Sequence, residues 1–216
     1  SKADGKEVWR QRGMTQSWNT PHLVTVPGGK QELVVSVKNK ILAFDPATGE
    51  ALWNCQGIQD YICPSIVSHE GVAYAIGGRK SQTVAVKAGG RGDVTASHRL
   101  WVADVGANVS SPVVHDGHLY WVSDRNKTAY CLRLTDGSIV YAEKFPAQPY
   151  ASTVIADGKQ YVTSRFNGTV VLSATPKFEI LAHNRFDEKS VANASPAVAD
   201  GKLFLRDDRF LYCVGK

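Results

Sequence analysis

Apolar and polar positions along this chain alternate in short runs and never settle into the three-to-four spacing of an amphipathic helix. Val113-Val-His-Asp-Gly-His-Leu-Tyr-Trp-Val-Ser123 shows the pattern: two β-rich runs flank Asp116-Gly117, where glycine can take the positive φ of a tight hairpin. Ala129-Tyr-Cys-Leu-Arg-Leu134 then alternates faces, and Thr135-Asp-Gly-Ser138 turns the chain into Ile139-Val-Tyr141. Strands of about six residues fit four times into such a stretch. No segment combines helical spacing with caps, so helix is expected to be nearly absent.

The unit repeats. An opening step falls at Thr20-Pro21, Cys63-Pro64, Ser111-Pro112, Ser152-Thr153 and Ser195-Pro196, at intervals of 43, 48, 41 and 43 residues. Turn glycines Gly71, Gly117, Gly158 and Gly201 keep the same period, as do the closing aromatics Trp9, Trp53, Trp101 and Tyr141. A period in the low forties with alternating strands predicts an all-β fold, a β-propeller of four-stranded blades. The expected blades cover about 13–53, 54–101, 102–141, 142–182 and 183–216. The last lacks a closing strand, and Glu7-Val8-Trp9-Arg10 reads as an orphan one, so residues 1–12 are expected to complete it and remove open edges. An open five-blade arc, or pairing between two chains, is the competing expectation.

Ala43-Phe-Asp45-Pro-Ala-Thr48-Gly49-Glu-Ala-Leu-Trp53 resembles the tryptophan-docking motif of pyrroloquinoline-quinone-like (PQQ-like) propeller repeats at Ala43, Asp45, Thr48, Gly49 and Trp53. Gly5-Lys-Glu-Val-Trp9 is similar to the end of another copy. Later copies decay, and the second carries the insertion Lys87-Ala-Gly-Gly-Arg-Gly-Asp-Val-Thr-Ala-Ser-His-Arg99 before Trp101. This insertion and Met14–Pro21 resemble bacterial secreted propellers related to the outer-membrane-protein assembly lipoprotein. The resemblance implies a single propeller domain or the C-terminal part of a longer one, of about eight blades in the longer relatives. Trp9, Trp53 and Trp101 are then structural pins between blades, each needing an acceptor for its indole N–H. Trp121 is expected to pack on a blade face.

Composition narrows the classes. Hydrophobic residues make up 43% of the chain, enough for several inter-blade cores, and no apolar run approaches the length needed to cross a bilayer. The chain begins inside a repeat without a signal-peptide pattern, so a mature fragment, periplasmic or extracellular, is expected, with any export signal upstream. Cys55 and Cys63 bracket a blade-to-blade connection whose ends can approach within disulfide reach, whereas Cys131 and Cys213 are expected as separate buried thiols. No C-x-x-C pair is present, and His115-Asp-Gly-His118 reads as a decorated hairpin, so no metal site is expected. Asn108, Asn126, Asn167 and Asn193 head N-x-S/T triplets that read as turn residues, and Arg91-Gly-Asp93 reads as a flexible loop.

The net charge of +5 matters through its placement. Arg79, Arg125 and Arg209 stand eight residues after their turn glycines, and Arg165 seven. Trp18, Tyr61 and Tyr150 each stand three residues before the opening Pro or its equivalent. These seven residues are the candidate binding face, arginines and aromatics being the usual anchors of an interface. The competing expectation pairs the arginines with Asp124, Asp207 and Asp208. No dense basic run or reader motif points to nucleic acid.

Two function classes follow. The first is a non-catalytic secreted scaffold for a protein or an acidic polysaccharide, with no cofactor and no catalytic residue. The alternative is a quinoprotein dehydrogenase oxidising an alcohol or sugar with pyrroloquinoline quinone and calcium. The resemblance implies for such enzymes an adjacent cysteine pair and acidic calcium ligands. The chain has no Cys-Cys pair, and Asp104, Asp124 and Asp187 are isolated.

Overall fold

The computed structural model describes residues 1–15, 17–185 and 190–215, so Asp187 lies outside the described residues. Two compact units divide the chain, Ser1–Val105 and Gly106–Lys216. In the first, β1 (His22–Thr25), β2 (Gln31–Val37), β3 (Lys40–Phe44) and β4 (Ala51–Gln56) form an antiparallel meander. A second sheet takes β5 (Val67–His69), β6 (Val72–Gly77) and β7 (Gln82–Lys87). The chain then returns to the first sheet with β8 (Gly92–Asp93), makes one helical turn, α1 (Thr95–His98), and completes the second sheet with β9 (Arg99–Ala103).

The second unit repeats the meander with fewer interruptions. One sheet holds β10 (Val113–His115), β11 (His118–Ser123), β12 (Thr128–Arg133) and β13 (Ile139–Lys144). The next holds β14 (Val154–Ala156), β15 (Lys159–Thr163), β16 (Thr169–Ser173) and β17 (Ile180–Asn184). The last contains β18 (Ala197–Ala199), β19 (Lys202–Arg206) and β20 (Leu211–Val214).

Local devices explain why these sequences make the same sheet. In four sheets the first two strands are joined by two residues, both with positive φ: Glu70-Gly71, Asp116-Gly117, Asp157-Gly158 and Asp200-Gly201. That is the type I′ hairpin, whose twist matches the strands it joins. Four sheets also shift register between the third strand and the fourth, at Ala43/Phe44, Ala85/Val86, Cys131/Leu132 and Val171/Leu172. A bulge at the same phase bends each outer strand alike. The opening Ser and Thr residues bridge neighbouring sheets: Thr20 N donates to Ser65 Oγ, Ser111 N to Ser152 Oγ, and Ser152 N to Ser195 Oγ.

Each unit has its own core. Ile41, Trp53, Ile58, Ile62 and Val84 pack together in the first; Tyr120, Phe145, Val162 and Leu172 do so in the second. Trp121 is fully buried and stacks on Tyr130 at 5.0 Å.

The docking motif folds into a turn held by its own polar groups. Asp45 Oδ1 accepts the amides of Ala47 and Thr48, Gly49 N donates to Asp45 O, and Gly49 sits at φ 75°. Those amide bonds, chiefly from Thr48, hold the Asp45 carboxyl below its ordinary range. Trp9 lies against this turn: its indole N–H donates to Pro46 O at 3.0 Å, and a Cβ on Gly49 would meet Trp9 Cδ2 at 2.6 Å. Only glycine leaves the ring that room. Glu7–Arg10 has no strand assignment among the described residues, and its tryptophan is anchored to the first sheet's turn.

Of the cysteines expected as buried thiols, Cys131 is buried and Cys213 is not. None of the four is in a disulfide; Cys55 and Cys131 are buried, Cys63 half-buried and Cys213 exposed. Burial pushes the Cys131 thiol up to about 11, which keeps it protonated and inert. Cys213 sits on β20, most of whose residues face solvent, so it does not fill a core position.

Candidate functional site

The four candidate arginines occupy one structural position. Arg79 lies between β6 and β7, Arg125 between β11 and β12, Arg165 between β15 and β16, and Arg209 between β19 and β20. What each guanidinium meets depends on the residue three before its opening step. Where that residue is aromatic, the arginine covers it: Arg79 stands over Tyr61 at 5.5 Å and Arg165 over Tyr150 at 4.8 Å. Such contacts contribute roughly 0.5–1 kcal/mol at exposed sites and hold the guanidinium in place. Val109 and Asn193 stand at the equivalent positions for Arg125 and Arg209, and neither can act as a platform. Arg209 lies over its neighbour Phe210 at 5.4 Å instead.

In the first unit the cluster has three members. Trp18, 64% exposed, packs on Tyr61 with centroids 5.6 Å apart, and Trp18 N donates to Ile62 O. Tyr61 has φ 50°, a conformation uncommon for a bulky residue, and its carbonyl accepts Gly78 N from the loop that carries Arg79. The backbone thus pins platform and cation together. In the second unit Arg165 also stands over Phe166 at 5.7 Å, and Phe166 is 62% exposed. The repeat arithmetic does not find Phe166, because it marks one residue per loop.

The acids expected to neutralise these arginines are engaged elsewhere. Asp124 Oδ1 accepts the amides of Asn108 and Val109; Asp207 Oδ1 accepts Arg209 N and Phe210 N; Asp208 Oδ1 accepts Val191 N. Asp60 Oδ1 likewise accepts Arg79 N. Each carboxylate ties down a loop backbone. Among the described residues, no ion pair engages the side chain of Arg79 or Arg165.

Asp207 supports a pH prediction. Desolvation acts to raise its pKa but is outweighed by hydrogen bonds from Ser190, Phe210, Arg209 and Tyr212, which bring it to about 2 from 3.8. A depressed carboxyl pKa stabilises the fold fully above the unfolded value, and that contribution is lost as pH falls through the folded one. Acid titration of wild type is expected to unfold the loop around 207–210 between about pH 4 and 2, and Asp207→Asn to flatten that limb. Hydrogen exchange of the Arg209 and Phe210 amides across this range is the check; equal protection in both proteins at pH 5 and pH 2 would contradict it.

The insertion at 87–99 is ordered by a feature the sequence hides. Glu32 is buried on β2, and its carboxylate accepts Trp53 Nε1 at 2.6 Å, Gly89 N at 3.0 Å and Arg91 Nη1 at 3.2 Å. Gly92 and Asp93 pair in parallel with Trp53 and Asn54, which covers the outer edge of β4. Asp93 Oδ1 accepts Thr95 N, and Thr95 Oγ1 accepts Gln56 N. Arg91-Gly-Asp93 is therefore built into the first sheet rather than being a flexible loop. Trp101 packs on Tyr74 at 5.8 Å.

Among the described residues no three of His, Cys, Asp and Glu converge to hold a metal ion, and the four free cysteines include no adjacent pair. His118 Nδ1 bonds Asp116 O inside its own hairpin.

The repeated bulged meander and the recurring loop position are those of four-stranded propeller blades, and the docked tryptophan is similar to that of PQQ-like repeats. The family model described as outer membrane protein assembly factor BamB matches residues 1–57, the stretch holding Trp9 and the Ala43–Trp53 motif. No curated protein sequence matches the chain. Among solved structures, BamB from Moraxella catarrhalis superposes with a TM-score of 0.61 at 12% identity, covering 84% of this chain and 56% of that one. The computationally designed Ika8 protein gives 0.60 at 11%, covering 85% and 54%. BBS1N, solved in complex with ARL6DN, gives 0.61 at 13%, covering 89% and 63%. The chain thus spans less than two thirds of each of these structures. At such identities the likeness is one of fold. No helix among the described residues is long and apolar enough to cross a membrane.

Proposed function

We propose that this chain is a non-catalytic binding scaffold of the periplasm or extracellular space that engages an acidic protein through its arginine-on-aromatic clusters. The observation that carries the proposal is the recurrence of one device, Arg79 on Tyr61 and Arg165 on Tyr150, with exposed Trp18 and Phe166 beside them. Each cluster offers a flat apolar surface next to a positioned cation, and the nearby carboxylates are committed to backbone amides. That combination suits a partner carrying carboxylates between apolar side chains. The comparisons support the same reading, since the matching family model is described as an outer membrane protein assembly factor and BBS1N was solved in complex with ARL6DN.

Retention on immobilised hexaglutamate peptide and on heparin, at low and moderate salt, tests the proposal. Arg79→Glu and Arg165→Glu are each expected to elute earlier from the peptide, with Lys38→Glu and Lys144→Glu as controls for net charge. Equal loss from all four variants would leave only diffuse charge and defeat the proposal. Retention on heparin but not on peptide would assign the clusters to a polysaccharide instead.

A further inference from the structure

A cleft in the second unit lies beside the Arg165 cluster. It encloses about 150 Å³ between the Ser164–Gly168 turn, Arg185 at the end of β17, the Ser190–Ala192 segment and the end of β19. We propose that this cleft is a carboxylate-binding subsite that receives an acidic side chain of the partner; the inference rests on the binding function proposed above.

Arg165, Arg185 and Arg206 line the cleft against one acid, Asp207. Asp207 gives its oxygens to two backbone amides and to the Tyr212 hydroxyl, and no ion pair among the described residues engages any of the three arginines. Among the described residues the cleft therefore gathers three guanidinium groups that no ion pair engages, which raises the local potential for an anion.

Arg165 also carries an unsatisfied donor. Arg165 Nε is buried and has no hydrogen-bond partner. A buried charged donor without an acceptor is costly, and a native structure that carries one needs a reason. A carboxylate entering the cleft supplies the missing acceptor by turning the Arg165 side chain outward.

The turn is closed by Ser164 Oγ, which donates to Gly168 O and accepts Asn167 N. Gly168, at φ 79°, lets this turn press on Asn184 and Arg185, so that two arginines distant in sequence line one opening. Opposite, Ala192 N donates to Arg165 O, while Val191 and Asp208 exchange bonds that fix the wall. Phe166, Ala192 and Leu205 add apolar lining. Guanidinium forks suit carboxylate and phosphate alike, but the small volume and the apolar wall favour a carboxylate on a short aliphatic stem.

Glutarate is the probe. Titrating it into the arginine-labelled full chain at constant ionic strength is expected to shift the Nε–Hε resonances of Arg165, Arg185 and Arg206 saturably. Arg185→Gln and Arg206→Gln, both exposed positions, are expected to weaken the fitted Kd by about tenfold or more each, and Lys38→Gln, at an exposed position of the first unit, to leave it unchanged. Absence of saturation, or an unchanged Kd in both cleft variants, overturns the subsite, and it does so even if Arg79→Glu still loses retention on hexaglutamate. Inorganic phosphate binding as tightly as glutarate overturns the carboxylate assignment. Conversely, saturable glutarate binding in a protein whose retention ignores Arg79 and Arg165 would keep the subsite and defeat the wider function.

Discussion

Glu32→Ala is expected to cost about 3 kcal/mol of unfolding free energy, a large effect for one polar residue. The carboxylate is buried and accepts three donors, of which the Trp53 indole N–H is itself buried. Truncation strands that donor and breaks the bond to Gly89, so the loss is a desolvation cost as well as a lost contact. Glu32→Gln keeps an acceptor for Trp53 and is expected to lose about half as much. Arg91→Ala should cost under about 1 kcal/mol, because the Arg91 side chain is 64% exposed and its ion pair is solvent-screened. Urea unfolding of the three variants ranks them, and hydrogen exchange over 88–98 shows whether the insertion has come loose. If Glu32→Ala is as stable as Arg91→Ala, the carboxylate does not organise this sheet.

Gly168→Ala should be nearly as damaging, at about 3 kcal/mol, or a fall of roughly 6–12 °C in Tm. An added Cβ would collide with the Asn184 carbonyl oxygen and lie 2.8 Å from Arg185 Cα, both backbone atoms that cannot swing aside. The positive φ adds its own strain. Gly158→Ala separates the two effects: Gly158 has φ 66° but nothing within 4 Å of a built Cβ, so it should lose only about 1 kcal/mol. Thermal melts of the pair decide it. Equal shifts would mean that φ alone matters and that the turn does not need its close approach to β17.

The sequence makes the repeat legible because its markers are local. A hairpin glycine, an opening serine and an outer-strand aromatic each do their work within a few residues of themselves, so spacing alone exposes them. The arginine and aromatic positions are legible for the same reason, and where the platform residue is Val109 or Asn193 the chain itself explains why no stacked pair forms. Long-range partners are not legible. Glu32 sits in Gln31-Glu32-Leu33 like any polar position of a strand, and its donors come from Gly89 and Arg91, 57 and 59 residues away. Arg185 joins Arg165 because a glycine lets two segments touch, and Arg206 comes to the same cleft from another sheet. Nor does spacing reveal burial, which is why Cys213 reads as a core thiol but stands exposed on β20.

The hairpins and bulges also bear on descent. The turn between β3 and β4 is closed by Asp45 N to Glu50 O and by Gly49 N to Asp45 O; between β12 and β13 the same two bonds run from Arg133 N to Ser138 O and from Gly137 N to Arg133 O. Arginine replaces the aspartate, aspartate replaces the threonine, and the bend is kept. Main-chain groups that carry the geometry leave side chains free to drift, so ancestry written in side chains erodes while the bend persists. One legible motif near the start and several unmarked copies after it are what such drift leaves behind, with the fold outlasting the signature by which kinship is usually traced.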